Sequence, residues 1–404
     1  MSYTLLSKLY YKSETLYEET YRQRFDGEYS IKLDFSIGGA QAFFVQTAEV
    51  YQLLTSILRM NHAVSNLCWA LPDAAIVQFT RRCLIDEIVL TNNIEGVRST
   101  RKEISDILDE LELKSKGKKR FHGLVLKYYM LMTKEELPLE HCEDLRSIYD
   151  ELVLEEVKEE DPDNLPDGKW FRKGPVSIYS PSQKELHKGL YPESAIISAL
   201  EQALGFLHDD SCEILYRVAI FHYLLEYIHP FYDGNGRLGR FICSYLLSQE
   251  LEPVIGYRLS YTIKEHITEY YKAFTLCNDP LNKGDLTPFL LLFLRIIHDS
   301  MEKLKESLQE GFTRLNRLWK KIPSFVGEED EKDEKLMELY GLLLQAALFS
   351  ECGIPTEVVL NHTKMSRVTL YRRMEKIPPG LLVKTRQGKT NYYSLNVEKL
   401  EKEG

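Results

Sequence analysis

The sequence predicts a mainly α-helical protein of two or three domains, on three observations. Apolar residues recur three and four apart from about residue 40 to 320, the period of an amphipathic helix. The main interruption, residues 161–180, carries three prolines and two glycines. After residue 353 the helices shorten and the chain turns basic. At 404 residues the chain exceeds one ordinary domain, and its 44% hydrophobic content suffices for a sizeable core.

Composition narrows the class. The chain holds 51 Lys and Arg against 61 Asp and Glu, a net charge of -10, which excludes a general nucleic-acid coat but leaves room for a local basic patch. The seven cysteines are scattered, odd in number and free of any CxxC pair. That pattern predicts reduced thiols in a cytoplasmic protein. The N-terminal residues carry charges throughout, with no apolar core long enough for a signal peptide. The richest apolar run, "FLLLFLRII", is too short to span a bilayer, so no membrane partner is expected.

In chain order, "AEVYQLLTSILRM" and "DAAIVQFTRRCLIDEIVL" read as helices. Thr100 and Glu103 then stand at capping-box spacing and start a helix near Arg101. Within 161–180, "KWFRKGPVSIY" reads as a short extended hairpin, with "PSQKELHKG" as the connection onward. Helices resume near Pro192 and run through "EILYRVAIFHYLLEYI"; Asp285 and Pro288 open a long one. "GEEDEKDEK" is a solvated linker or helix start. Residues 354–404 hold ten Lys and Arg against five Asp and Glu. Two short helices and a hairpin turning at Gln387–Gly388 give them the order of a winged helix, with Arg367, Arg372 and Arg373 as the candidates on its recognition helix, or of a small packing module with a solvated basic face. The expected regions are 1–120, an N-terminal helical region with a helix at about 73–96; 121–300, the core; 301–335, a linker helix and acidic segment; and 336–404, the winged-helix-like domain.

The stretch "YIHPFYDGNGRLGRF" (227–241) interrupts two apolar helices with polarity and glycine. Pro230 stops the first helix, which places His229 at its end. Gly234 and Gly236, lacking Cβ, allow N–H groups to converge on an anion at the start of the next helix. Arg237 and Arg240, three apart, can reach one bound group. Asp233 beside an anion site makes sense where a cation such as Mg²⁺ bridges it to phosphates. His229 remains as a base. These are parts for phosphoryl or nucleotidyl transfer.

"HPFYDGNGRLGR" resembles the active-site motif of the Fic (Fido-fold) family, HPFx(D/E)GNGRxxR, without departure. The resemblance covers roughly residues 40–300. It implies an all-helical core with a β-hairpin flap, and transfer of AMP from ATP to a hydroxyl of a target protein. On that basis His229 would be the base and Asp233 the Mg²⁺ ligand. Gly234 to Gly236, with the Asn235 side chain, would cradle the α-phosphate. Arg237 and Arg240 would grip the other phosphates, Leu238 and Gly239 would complete the nucleotide site, and Phe231 would pack inward. The flap falls at Val176, Ser177, Ile178 and Tyr179, where strand pairing would hold the target. "EYYKAFTLCND" resembles the adenine-pocket segment, with Tyr270 or Tyr271 against the base and Asn278 donating to it.

"LTNNIEGVRST" holds Glu95 near a helix C-terminus, an unfavourable place for an anion, with Gly96 as the cap. An arginine is the natural partner. The stretch resembles the family's inhibitory pattern (S/T)xxxE(G/N), at Thr91, Glu95 and Gly96. That implies an ion pair between Glu95 and Arg240 that blocks seating of the γ-phosphate. His222 reads as a core histidine rather than a ligand. The expectation is an autoinhibited protein adenylyltransferase using ATP and Mg²⁺, with AMP removal as a reverse activity. The alternatives are a Fic-fold transferase with another nucleotide donor, and a DNA-binding regulator with the Fic site as sensor. A target protein at the flap, DNA at the C-terminal domain and a second copy of the chain are the candidate partners.

Overall fold

The structure is a computed structural model and describes residues 3–112, 120–133, 135–179, 185–327, 330, 332–387 and 390–403. Helices dominate it, in agreement with the periodicity. The chain gathers into two compact units, Met1–Asn61 with Ile85–Met301, and His62–Leu84 with Glu302–Gly404. This division runs across the four expected regions, because residues up to 61 and from 85 onward pack with the core. Among the described residues no helix is long and apolar enough to cross a membrane.

At the centre of the first unit lie the helices Ile214–Ile228 and Asn235–Glu250. Both are buried on nearly every side, from Leu215 to Ile228 and from Asn235 to Ser248, as expected of core helices that meet neighbours all round. The helix Asp73–Ile94 ends in a Schellman motif. Gly96 takes φ 77°, its N–H reaches the Asn93 carbonyl (3.1 Å), and the Val97 N–H reaches the Asn92 carbonyl (2.9 Å). The next helix, Arg101–Glu112, opens with the expected capping box: Glu103 N–H donates to Thr100 Oγ1 (3.2 Å), and Thr100 N–H donates to Glu103 Oε2 (3.5 Å).

Two corrections concern strands. The sequence Ser30–Val45, not anticipated as sheet, forms β1 (Ser30–Ile37) and β2 (Ala40–Val45). Leu33, Phe35 and Ile37 alternate inward, and Gly38 and Gly39, both at positive φ, make the two-residue turn. β2 then clamps the start of the long helix Thr287–Trp319: Phe43 N–H donates to the Gly284 carbonyl and Val45 N–H to Thr287 Oγ1. The second correction moves the flap. The expected hairpin at 169–179 is instead β3 (Ser177–Tyr179) paired antiparallel with β4 (Glu185–Lys188), so the second strand lies in the stretch read as a connection. Residues 180–184 between them lie outside the described residues.

In the second unit, the helix Glu334–Phe349 precedes β5 (Ile354–Pro355), the helices Thr356–Thr363 and Arg367–Met374, and the hairpin β6 (Leu382–Gln387) and β7 (Thr390–Leu395). The strands order as β5-β7-β6. The expected turn residue Gly388 lies outside the described residues.

Candidate active site

The loop between the two core helices begins with a strained residue. His229 caps the helix Ile214–Ile228 at φ 52°, ψ 65°, a left-handed conformation that non-glycine residues seldom adopt. Arg172, fully buried, fixes this turn from outside. Its guanidinium donates to the carbonyls of His229 (2.9 Å), Gly174 (2.5 Å) and Leu190 (2.7 Å), which ties the base of the flap to the loop. Phe231 packs inward as expected, stacked on Tyr149 with centroids 3.6 Å apart.

Gly234 precedes the second core helix at φ 81°, and a Cβ there would meet Val153 Cγ2 at 2.9 Å, so glycine is required on both counts. The Asn235 side chain does not join a phosphate cradle. Its Oδ1 accepts from Phe231 N–H and its Nδ2 donates to the Phe231 carbonyl, both at 2.9 Å, so it pins the loop's shape. Leu238 also departs from expectation, with its side chain in the core and its N–H bonded to the Gly234 carbonyl within the helix. What remains for an anion are the first-turn N–H groups of Asn235, Gly236 and Arg237, which have no acceptor in the helix itself.

A carboxylate of the chain already sits on this turn. A Cβ built on Gly236 would lie 2.1 Å from Glu95 Oε1 and 2.8 Å from Arg240 Nη1. Glu95 Oε1 is 2.7 Å from Arg240 Nη2. Thr91 completes the grip, its Oγ1 accepting from Arg240 Nε (2.8 Å) and its carbonyl from Nη2 (3.1 Å). Arg240 is buried, while the Glu95 side chain keeps 29% of its surface exposed, so the pair opens from the Glu95 side. Arg237 points elsewhere: its Nη1 donates to the buried Glu156 at 2.7 Å. Its Nε and Nη2 find no hydrogen-bond acceptor among the described residues.

Glu95, Gly236, Arg240 and His229 line one pocket with Ile178 and His187 of the flap, Tyr270, Tyr271 and Asn278. Its volume, about 150 Å³, is below the 300–1,000 Å³ usual for ligand sites; the Glu95 carboxylate takes up part of the space. Tyr270 is buried with its hydroxyl on His222 Nε2 (2.7 Å), which settles His222 in the core. Tyr271 is the more open of the two tyrosines. Asn278 Oδ1 accepts from Tyr223 (2.5 Å), which leaves its amide N–H groups as donors. Of the flap, Val176 lends its carbonyl to Gly189 N–H, Ser177 and Ile178 pair with Lys188 and His187, and the Tyr179 backbone pairs with Glu185.

Burial lowers the His229 pKa to about 4, with Arg172 pushing the same way and Glu95 opposing. The imidazole is therefore neutral at pH 7, with a lone pair to accept a proton. Its Nδ1 lies 3.9 Å from Glu226 Oε2. Glu226 was missed in the sequence, although an acid in the apolar run "YLLEYI", one turn before His229, is a visible signal. Burial raises its pKa to about 8, Glu95 adding to the rise and Arg240 opposing it. Oε1 has no hydrogen-bond partner among the described residues. A group raised in the fold from 4.5 to about 8 contributes stability that is full below the unfolded value and lost as pH rises through the folded one. The melting temperature is expected to fall between about pH 5 and pH 9, and Glu226→Gln should flatten that fall. Calorimetric scans across pH check it; parallel curves for the two proteins would show an ionised Glu226.

Fold and loop together define a helical protein built around an anion-binding turn set between two buried helices. Residues 139–247 match the model of the Fic/DOC family. Over that stretch the chain is similar to the Fic/DOC family. It is 30% identical over 144 residues to protein adenylyltransferase Fic of Drosophila sechellia, covering 36% of this chain and 26% of that protein. The Drosophila persimilis protein of the same name is 31% identical over 144 residues, covering 36% and 25%. The match thus spans about a quarter of the curated relatives' length. The fold is also that of a Fic family protein from Desulfovibrio desulfuricans G20, with a TM-score of 0.52 and 18% identity over 91% of this chain and 98% of that one.

Proposed function

We propose that this chain transfers AMP from ATP to the hydroxyl of a Ser, Thr or Tyr side chain in a target protein, and that Glu95 holds the activity down. One observation carries the reading. The anion-binding turn at Gly236 is filled by the chain's own carboxylate, which also engages Arg240. A carboxylate in that place mimics a phosphate and competes with one.

His229, neutral and on the pocket wall, takes the proton of the attacking hydroxyl through Nε2, the nitrogen away from Glu226. The hydroxyl oxygen forms a bond to the α-phosphorus, the bond to the bridging α–β oxygen breaks, and pyrophosphate leaves with the electron pair. First-turn N–H groups at Asn235 to Arg237 stabilise the charge on the α-phosphate. Arg240, once released, and the free donors of Arg237 meet the remaining phosphates. Asp233 fits a divalent cation, since its side chain is 38% exposed and its Oδ1 receives the Gly234 N–H at 2.5 Å, with outward lone pairs left over. Bound there, Mg²⁺ would offset phosphate charge. Tyr271 and the Asn278 amide suit a purine ring, and the free edge of the flap suits an extended target segment.

The test is incubation with Mg²⁺ and ATP labelled at the α-phosphate, for wild type and Glu95→Gly, following label on the protein itself and on lysate proteins. No label from either protein would overturn the reading, and label seen only in a parallel reaction with γ-labelled ATP would replace it with phosphorylation. Thr91→Val should activate less than Glu95→Gly, because it removes one of the three contacts that hold Arg240 and keeps the shape. Equal rates in Thr91→Val and wild type would remove Thr91 from the brake.

A further inference from the structure

We propose that the C-terminal part of the second unit binds duplex DNA, with the helix Arg367–Met374 in the major groove and the β6–β7 hairpin against the backbone. The topology is the first support. A helix, a short strand, two helices joined by a tight turn and an antiparallel hairpin follow one another in order. The turn is sharp because Lys364 adopts φ 55° and Ser366 caps the second helix, its Oγ accepting from Thr369 N–H (3.2 Å). This is the helix-turn-helix arrangement in which the second helix reads the groove.

The faces of that helix are the second support. Leu370 and Met374 are buried and anchor it. The opposite face presents Arg367, Val368, Tyr371 and Arg372, with Val368 80% exposed. A lone exposed valine needs no explanation. Val368 and Tyr371 stand one turn apart with an arginine beside each, which offers base edges a methyl contact for thymine and a bidentate donor for guanine.

The cations divide in the same sense. Arg373, expected from sequence to belong to the reading face, instead grips Asp333 (2.9 Å), and Lys376 grips Asp330 (2.5 Å), so both serve the fold. Arg372, Lys384 and Arg386 are exposed, and Arg367 pairs with the exposed Glu357. Residues 354–404 carry twice as many Lys and Arg as Asp and Glu, on a chain of net charge -10. Charge therefore concentrates where a polyanion would lie. Duplex RNA fits less well, because its deep, narrow major groove does not admit a helix.

The full-length chain would be titrated against a fluorescent mixed-sequence DNA duplex of about 20 base pairs. Saturable binding is expected at about 50 mM salt. Three or four phosphate contacts predict a loss of roughly a hundredfold at about 200 mM salt. Val368→Glu and Arg372→Glu should each weaken binding at least about tenfold with unchanged melting temperature, whereas Arg373→Ala should lower the melting temperature. No binding at the lower salt, unaltered affinity in both Glu variants, or tighter binding of an RNA duplex would each overturn the proposal. None of these outcomes bears on AMP transfer.

Discussion

Glu95→Gly is expected to raise AMP transfer, to a target or to the protein itself, by roughly ten- to a thousand-fold. The pair it removes is half-open: Arg240 is buried, while Glu95 remains 29% exposed. Desolvation of the arginine is already part of the fold, so loss of the carboxylate leaves an unpaired buried cation at the mouth of the anion-binding turn. That cation then binds phosphate instead. The Glu95 side chain also vacates the space over Gly236. Arg240→Ala is not equivalent, because it opens the brake and deletes a phosphate ligand together, and the double variant should be inactive. Labelled AMP transfer for the four proteins at one ATP concentration decides the matter. Unchanged transfer in Glu95→Gly would make the Asp73–Ile94 helix end a purely structural feature.

His229→Ala should lower transfer by about 10²–10⁴-fold, the usual contribution of a positioned base. ATP binding should survive nearly intact, since the glycine turn, Arg237 and Arg240 do not depend on the imidazole. The substitution also replaces a residue held at φ 52°, so folding needs its own control: an unchanged circular dichroism spectrum and melting temperature. Measuring transfer in the Glu95→Gly background gives the range to see the loss. Full transfer without the imidazole would remove His229 as the base.

Much of this site was legible because its signals are local. A proline after a helix, two glycines, and arginines one turn apart fix a turn and its polarity within fifteen residues. The capping box at Thr100 and the helix stop at Gly96 were readable for the same reason. Part of what escaped depended on partners distant in sequence. Nothing near Arg237 names Glu156 as its acceptor; the Asn235 amide, which closes on the backbone of Phe231 four residues earlier, was missed although its partner is local. Arg373 looked like a groove reader until Asp333 took it. The β1–β2 hairpin is a different failure: alternating Leu33, Phe35 and Ile37 before Gly38–Gly39 form a two-residue-turn pattern that stood in plain view. The flap was displaced because β4, "ELHK", is too short and polar to announce itself as a strand.

On the proposed reading, the Schellman end of the Asp73–Ile94 helix gives the brake a reciprocal character. Glu95 follows the last helical residue, where the helix's negative pole repels it and Arg240 compensates. Any ligand that draws Arg240 away withdraws that compensation and loosens the final turn. By the same free energy, anything that stiffens the turn weakens the ligand. Nucleotide affinity and local helix fraying are then two readings of one equilibrium. Amide exchange at Asn92 to Val97 should quicken as ATP is added, and slow again as it is washed out.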